Sequence, residues 1–148
     1  MTTKEVIISI EGHQGYEGMD NDDVRLVTAG TLTEQAGTID LRYQESELTG
    51  MEGTTTVFQI QGPRVTLMRT GKVCSQMVFE QGRRHLSLYS TPYGNLQIGV
   101  STSRLCSDLD ARGGRLEIDY AIEIDHALAG RNAFRISVRE AGQGKLKQ

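Results

Sequence analysis

The sequence predicts an all-β chain, a single antiparallel up-and-down β-barrel of about eight to ten strands. Three observations predict it. Apolar and polar residues alternate with a period of two through most of the chain. Turn residues interrupt the alternation at short, even intervals. No window carries a convincing helical period, and a short helical turn near 103–110 is the one exception the pattern allows.

The first run, 4–11, places Val6, Ile8 and Ile10 on one face. Segment 12–23 is acidic and glycine-rich and is expected to be a mobile loop. A second run, 24–34, ends at the turn Gln35-Ala36-Gly37, and the third, 37–44, puts Ile39, Leu41 and Tyr43 on one face. Runs 53–61 and 64–70 flank Gln61-Gly62-Pro63, and Thr70-Gly71-Lys72 leads to 73–80. Gln81-Gly82 joins that run to 83–90, and Thr91-Pro92-Tyr93-Gly94-Asn95 leads into 95–103, with Leu96, Ile98 and Val100 in phase. After Arg112-Gly113-Gly114 comes the clearest strand, 114–125. Leu116, Ile118, Tyr120, Ile122 and Ile124 share its dry face, and Arg115, Glu117, Asp119, Glu123 and Asp125 share its wet face. The last run, 132–140, carries Phe134, Ile136 and Val138, and the tail 142–148 is expected to fray. Hairpin-length connections favour a meander, hence a barrel over a sandwich. A barrel of about eight strands is just wide enough to be filled by side chains or to hold one small ligand.

A chain of 148 residues fits one domain, 1–148. A formal charge of −3 argues against nucleic acid as a partner. Charge is uneven: residues 1–53 hold eleven acids and three bases, whereas residues 54–148 hold eight acids and thirteen bases. Pairing across strands is the expected use of these charges, with a basic face for an anion as the minority reading. Cys74 and Cys106 form no C-x-x-C motif and are expected to be semi-buried thiols in a reducing cytoplasm. The N-terminal apolar run is too short for a secretory signal, and no stretch is long enough for a membrane helix, so a cytoplasmic protein without membrane contact is expected.

Several segments carry a resemblance. They are Thr28-Ala29-Gly30-Thr31 through Leu41-Arg42-Tyr43, then Val65-Thr66-Leu67-Met68-Arg69-Thr70-Gly71, then Tyr93-Gly94-Asn95-Leu96-Gln97-Ile98. Ser107-Asp108-Leu109-Asp110 and Gly114-Arg115-Leu116-Glu117-Ile118-Asp119-Tyr120 complete the set. In this order and spacing they resemble the bacterial YwiB-like family, a domain of unknown function with a calycin-like (lipocalin-like) β-barrel. The resemblance implies a closed barrel and a cytoplasmic setting, and it brings no catalytic residue or ligand. Lipocalins commonly place a tryptophan near the first strand, and this chain has none. The ligand-carrier role therefore comes across only as analogy of fold.

Among single residues Arg69 stands out, because it shares parity with Val65 and Leu67 near a strand end. If those two point inward, so does Arg69, either as a clamp for a ligand carboxylate or phosphate or, as the favoured reading, in an internal salt bridge or as a cap over the hairpin at Gly71. Tyr89 and Tyr93 flank the Thr91-Pro92 turn, and His85 starts a strand beside Arg83 and Arg84. Arg69, Tyr89 and His85 form the candidate ligand-binding set, with packing at a hairpin as the plainer role for the tyrosines. His13, His85 and His126 show no metal-ligand spacing, so no metal and no cofactor are expected. Asp108-x-Asp110 resembles the start of a calcium loop, but Arg112 stands where an oxygen ligand belongs and no glutamate closes the loop. Aspartates capping backbone amides are the better reading. Ser101, Thr102 and Ser103 suggest cross-strand hydrogen bonding, and no nucleophile elbow, S-x-x-K motif or P-loop occurs.

These features leave three function classes. The first is a non-enzymatic cytoplasmic barrel binding a small apolar or anionic ligand in or at its mouth. The second is a filled barrel acting as an interaction module or homodimer through an outer face, with Val57, Met68 and Val78 as candidates. An enzyme with a site at the barrel mouth comes third.

Overall fold

The computed structural model describes residues 2–15, 22–47, 51–72, 74–91, 93–124 and 127–141. Each expected run becomes one strand. They are β1 (Thr2–Gly15), β2 (Asp22–Gln35), β3 (Thr38–Gln44), β4 (Thr54–Gln61) and β5 (Arg64–Gly71), then β6 (Ser75–Glu80), β7 (Arg84–Thr91), β8 (Gly94–Ser107), β9 (Gly114–Ile124) and β10 (Ala127–Glu140). Every strand pairs antiparallel with its neighbours in sequence, and β1 closes the ring against β10.

Three boundaries differ from expectation. Residues 12–15 and 22–23 of the supposed loop are strand, because Gly12–Gly15 pair with residues 131–134 and Gly12–Gln14 pair also with the start of β2. Residues 16–21 lie outside the described residues, as does the tail 142–148. The helical turn near 103–110 does not form, since β8 continues to Ser107. A bulge between Thr102 and Arg104 shifts the parity there and hides the strand from a period-two reading. A second bulge, between Leu128 and Gly130, likewise conceals the first residues of β10, which starts at Ala127 and not near 132. The loop after β8 is closed as expected, by aspartates accepting from backbone amides. Asp108 Oδ1 accepts from Arg115 N–H at 2.5 Å, and Asp110 Oδ1 from Arg112 N–H at 2.8 Å.

The β2–β3, β4–β5, β6–β7 and β8–β9 connections gather at one end of the barrel, and the other connections at the opposite end. The first end is filled. Val6, Ile8, Leu32, Leu41, Phe58 and Leu67 are fully or almost fully buried, and Leu109 folds in from the β8–β9 connection. Burial of each such side chain contributes about 1.5–3 kcal/mol. An aromatic group crosses the middle of the lumen. Phe58 meets Phe134 edge-on with centroids 5.6 Å apart, and Tyr120 stacks on Phe134 and tilts against Phe79.

The wall is not uniform. Among the described residues β6 and β7 share a single register pair, Ser75 with Tyr89. The tip of that hairpin is closed by Arg83 N–H donating to the Glu80 carbonyl at 3.0 Å and is tied to β8: Gly82 N–H donates to the Thr102 carbonyl at 2.9 Å, and Leu105 N–H donates to Gln81 Oε1 at 2.9 Å. At the end of β5, Gly71 takes φ 118° and lies so near the Gly53 carbonyl that a Cβ would collide with it. Only glycine allows both.

Candidate functional site

Beyond the aromatic group the barrel is hollow. A cavity of about 410 Å³ opens toward the end where β1 meets β2 and β3 meets β4. That volume falls in the range of small-molecule sites. Ile10, Leu26, Met77, Ile98, Ile122 and Phe134 form its apolar walls. Val24, near the start of β2, adds exposed apolar surface at the cavity's edge.

Arg69 lies on this wall. Val65 and Leu67 are fully buried, and the side chain of Arg69, which shares their parity, is only 15% exposed. In register it stands between Thr56 on β4 and Ser75 on β6, and Thr56 in turn faces Tyr43 on β3. One step past β3, Glu45 turns its carboxylate into the same corner, with its side chain 1% exposed. Thr56 Oγ1 donates to Glu45 Oε2 at 2.5 Å, and Glu45 N–H donates to the Thr54 carbonyl at 2.8 Å. Burial, reinforced by the Glu45 charge, pushes the Tyr43 phenol well above its usual range, so it stays a neutral hydroxyl.

The Arg69–Glu45 pair is long, at 3.9 Å from Nε to Oε2, and Arg69 Nε makes no hydrogen bond although it is buried. The favoured expectation of an internal salt bridge is therefore met in charge but incompletely in hydrogen bonding. A second cavity-facing group is in the same state. Asn132 precedes Phe134 by one pleat on β10, and its Oδ1 is buried without a partner.

The other two candidates divide. Tyr89 has its backbone opposite Ser75, in the row that contains Arg69, while its side chain lies outside the described residues. His85 is not brought to Arg69. It sits at the far end of β7 with Nε2 3.1 Å from Glu80 Oε1 and does not line the cavity. That ring, with Arg64 and Arg83 nearby, holds the Glu80 carboxyl below its ordinary value against a smaller desolvation effect.

Sequence reasoning missed Glu45, Tyr43 and Asn132 as site residues. The signal that found Arg69 was present for two of them. Glu45 prolongs the inward parity of Ile39, Leu41 and Tyr43, and Asn132 prolongs that of Phe134, Ile136 and Val138.

Asp40 Oδ1 and Thr102 Oγ1 are also buried without a hydrogen-bond partner, but neither residue lines this cavity; many of the remaining charged groups pair with one another. Arg104 pairs with Glu117 at 2.6 Å, Arg135 with Asp119 at 2.8 Å and Arg84 with Glu123 at 3.1 Å. These pairs cross strands as expected but lie within the basic half of the chain; Lys4–Glu140 and Glu45–Arg69 join the halves. A broad groove of about 870 Å³ runs over β8, β9, β10 and the end of β1, and Tyr120 and Asn132 border it as well as the cavity. Its Asp119 is held by Arg135, and its His13 by Asp23 at 2.8 Å. Ser103 Oγ donates to the Asp119 carbonyl, the cross-strand role foreseen for that patch. No group of three metal-ligating side chains occurs among the described residues, and His126 lies outside them. Both cysteines are free and exposed, not semi-buried, because each sits at a strand end at opposite ends of the barrel. Val57, Met68 and Val78 are half-buried and not among the exposed large apolar residues.

Comparison with known proteins bears on the whole barrel. Residues 8–136 match a family described as a domain of unknown function, DUF1934. The uncharacterized β-barrel protein YwiB of Bacillus subtilis (strain 168) is 29% identical over 82 residues. That stretch is 55% of this chain and spans 56% of the relative's length. The crystal structure of the ywiB protein from Bacillus subtilis superposes with a TM-score of 0.82 at 20% identity, covering 94% of this chain and 93% of the other. At that identity the likeness is one of fold.

Proposed function

The chain belongs to the DUF1934 family, a domain of unknown function, and from that premise we propose that it is a binding module that holds a small, mainly apolar ligand in the open half of its barrel. The observation that carries this reading is Arg69: a largely buried guanidinium with an unmet Nε–H on the wall of a mainly apolar cavity. A buried donor without a partner costs about 1–3 kcal/mol, and a ligand acceptor placed beside it recovers that loss.

Glu45 decides between the two ligand chemistries. Its carboxylate already neutralises Arg69, so the corner carries no net charge. A second carboxylate would bring an uncompensated negative charge into a poorly solvated site. The ligand head is therefore an uncharged acceptor, such as an amide or ketone oxygen, and the anionic alternative is disfavoured.

The outer wall supports a barrel bathed in water. Arg104, Glu117, Asp119 and Arg135 stand side by side on it, where a membrane barrel carries an apolar band. Among the described residues no helix is long and apolar enough to cross a membrane. Two free, exposed thiols suit a reducing cytoplasm.

Native mass spectrometry of protein purified gently from its own host tests the reading. The expected result is a reproducible extra mass of small-molecule size that is lost in Arg69→Ala and in Ile122→Trp, which fills the cavity. A bare mass in the wild type, or an adduct that survives Ile122→Trp in a folded protein, would overturn it.

A further inference from the structure

We infer, resting on the cavity reading above, that the ligand is held at both ends: its acceptor head meets Arg69, and a hydroxyl at its other end meets Asn132. In the ring of strands β5 and β10 are five steps apart in either direction, so the two side chains stand on opposite walls. Ten strands about 4.8 Å apart and tilted by about 40° make a wall roughly 20 Å across, measured backbone to backbone. The two groups also stand at one level. Arg69 lies one pleat beyond Leu67, the register partner of Phe58, and Asn132 lies one pleat before Phe134. Phe58 and Phe134 touch across the lumen. Arg69 and Asn132 thus flank the same aromatic floor from opposite sides.

Both carry buried atoms with no hydrogen-bond partner, Arg69 Nε and Asn132 Oδ1. Between them the walls are mainly Ile98, Ile122, Met77 and Phe134, with Ser87 and Tyr120 as polar interruptions. The site therefore presents two unmet polar positions separated by apolar surface. A molecule that satisfies both has a polar group at each end of an apolar spacer. The Arg69 end takes an acceptor. At the Asn132 end a hydroxyl fits best, since it both donates and accepts and so meets either edge of the amide. A single-headed apolar ligand would leave one of the two positions unmet.

The test uses a series of straight-chain primary amides of increasing length, each with and without a terminal hydroxyl. Affinities are read by titration calorimetry on the full chain. At one chain length the hydroxylated amide is expected to bind roughly tenfold tighter than the plain one. Asn132→Leu is expected to abolish that gain while binding the plain amide at least as well. Asn132→Ala serves as a second variant, with circular dichroism to show that each is folded. Arg69→Met is expected to weaken both compounds alike. Equal affinities at every length, or a gain that survives both Asn132 variants, would overturn the second anchor while leaving the cavity reading in place. Failure of folded wild type to bind any member would overturn both.

Discussion

Replacing Glu45 with glutamine removes one negative charge 3.9 Å from Arg69 and keeps an oxygen that can accept from Thr56. The guanidinium then lacks a counter-ion, and the ligand preference should invert. A ligand carboxylate set against Arg69 would lie about 5–6 Å from the Glu45 carboxylate, where repulsion at an effective dielectric near 20 is about 3 kcal/mol. Losing that repulsion should improve binding of a straight-chain carboxylate, relative to its matched primary amide, by about two orders of magnitude. Titration calorimetry with the two compounds, on wild type and Glu45→Gln, gives the ratio directly. Wild type should prefer the amide, and the variant the carboxylate. An unchanged ratio in a variant shown to be folded would refute the claim that Glu45 sets the charge of the site.

The same geometry sets other outcomes. Phe58→Ala should cost about 3–5 kcal/mol in urea unfolding, because Phe58 is fully buried in the aromatic group; Met77→Ala, which faces the hollow half, should cost less than half as much. Gly71→Ala should destabilise by about 1–3 kcal/mol, measured the same way, since φ 118° and the Gly53 carbonyl both exclude a Cβ. The Glu80 carboxyl is held low by His85, so its contribution is present above the ordinary carboxylate range and is lost as pH falls through its folded value. The melting temperature should therefore drop less steeply on acidification in His85→Ala than in wild type; parallel curves would count against that pairing.

Period-two patterning was enough to locate every strand, because one face of each is dry and the other wet. It failed where one extra residue breaks the phase. The bulges at Thr102/Arg104 and Leu128/Gly130 invert the parity across them, so 103–107 read as a turn and 127–131 as nothing. It also failed at Gly12–Gln14, whose weak strand preference is overridden by partners on both sides. Arg69 was legible as a cation in an apolar row. Its relation to Glu45 was not, because the two sit on different strands and meet only through the registers of β3, β4 and β5. The hollow itself was invisible in the sequence. It depends on how side chains from all ten strands add up across one level of the lumen, and no local pattern records that.

The seam between β6 and β7 has a consequence for how the cavity is reached. It is pinned by Ser75–Tyr89 at one end and, at the other, by Glu80 with Arg83 and His85 and by the contacts of Gln81 and Gly82 with β8. Between the pins the two strands run without a ladder, next to Met77 and Ser87 of the cavity lining. Spreading this slit breaks few hydrogen bonds, so it should open at a small fraction of the global unfolding free energy. The amide hydrogens of β6 and β7 that face this slit should then exchange with solvent long before those that face β5 and β8, and a ligand could pass sideways through the wall with the rim left undisturbed.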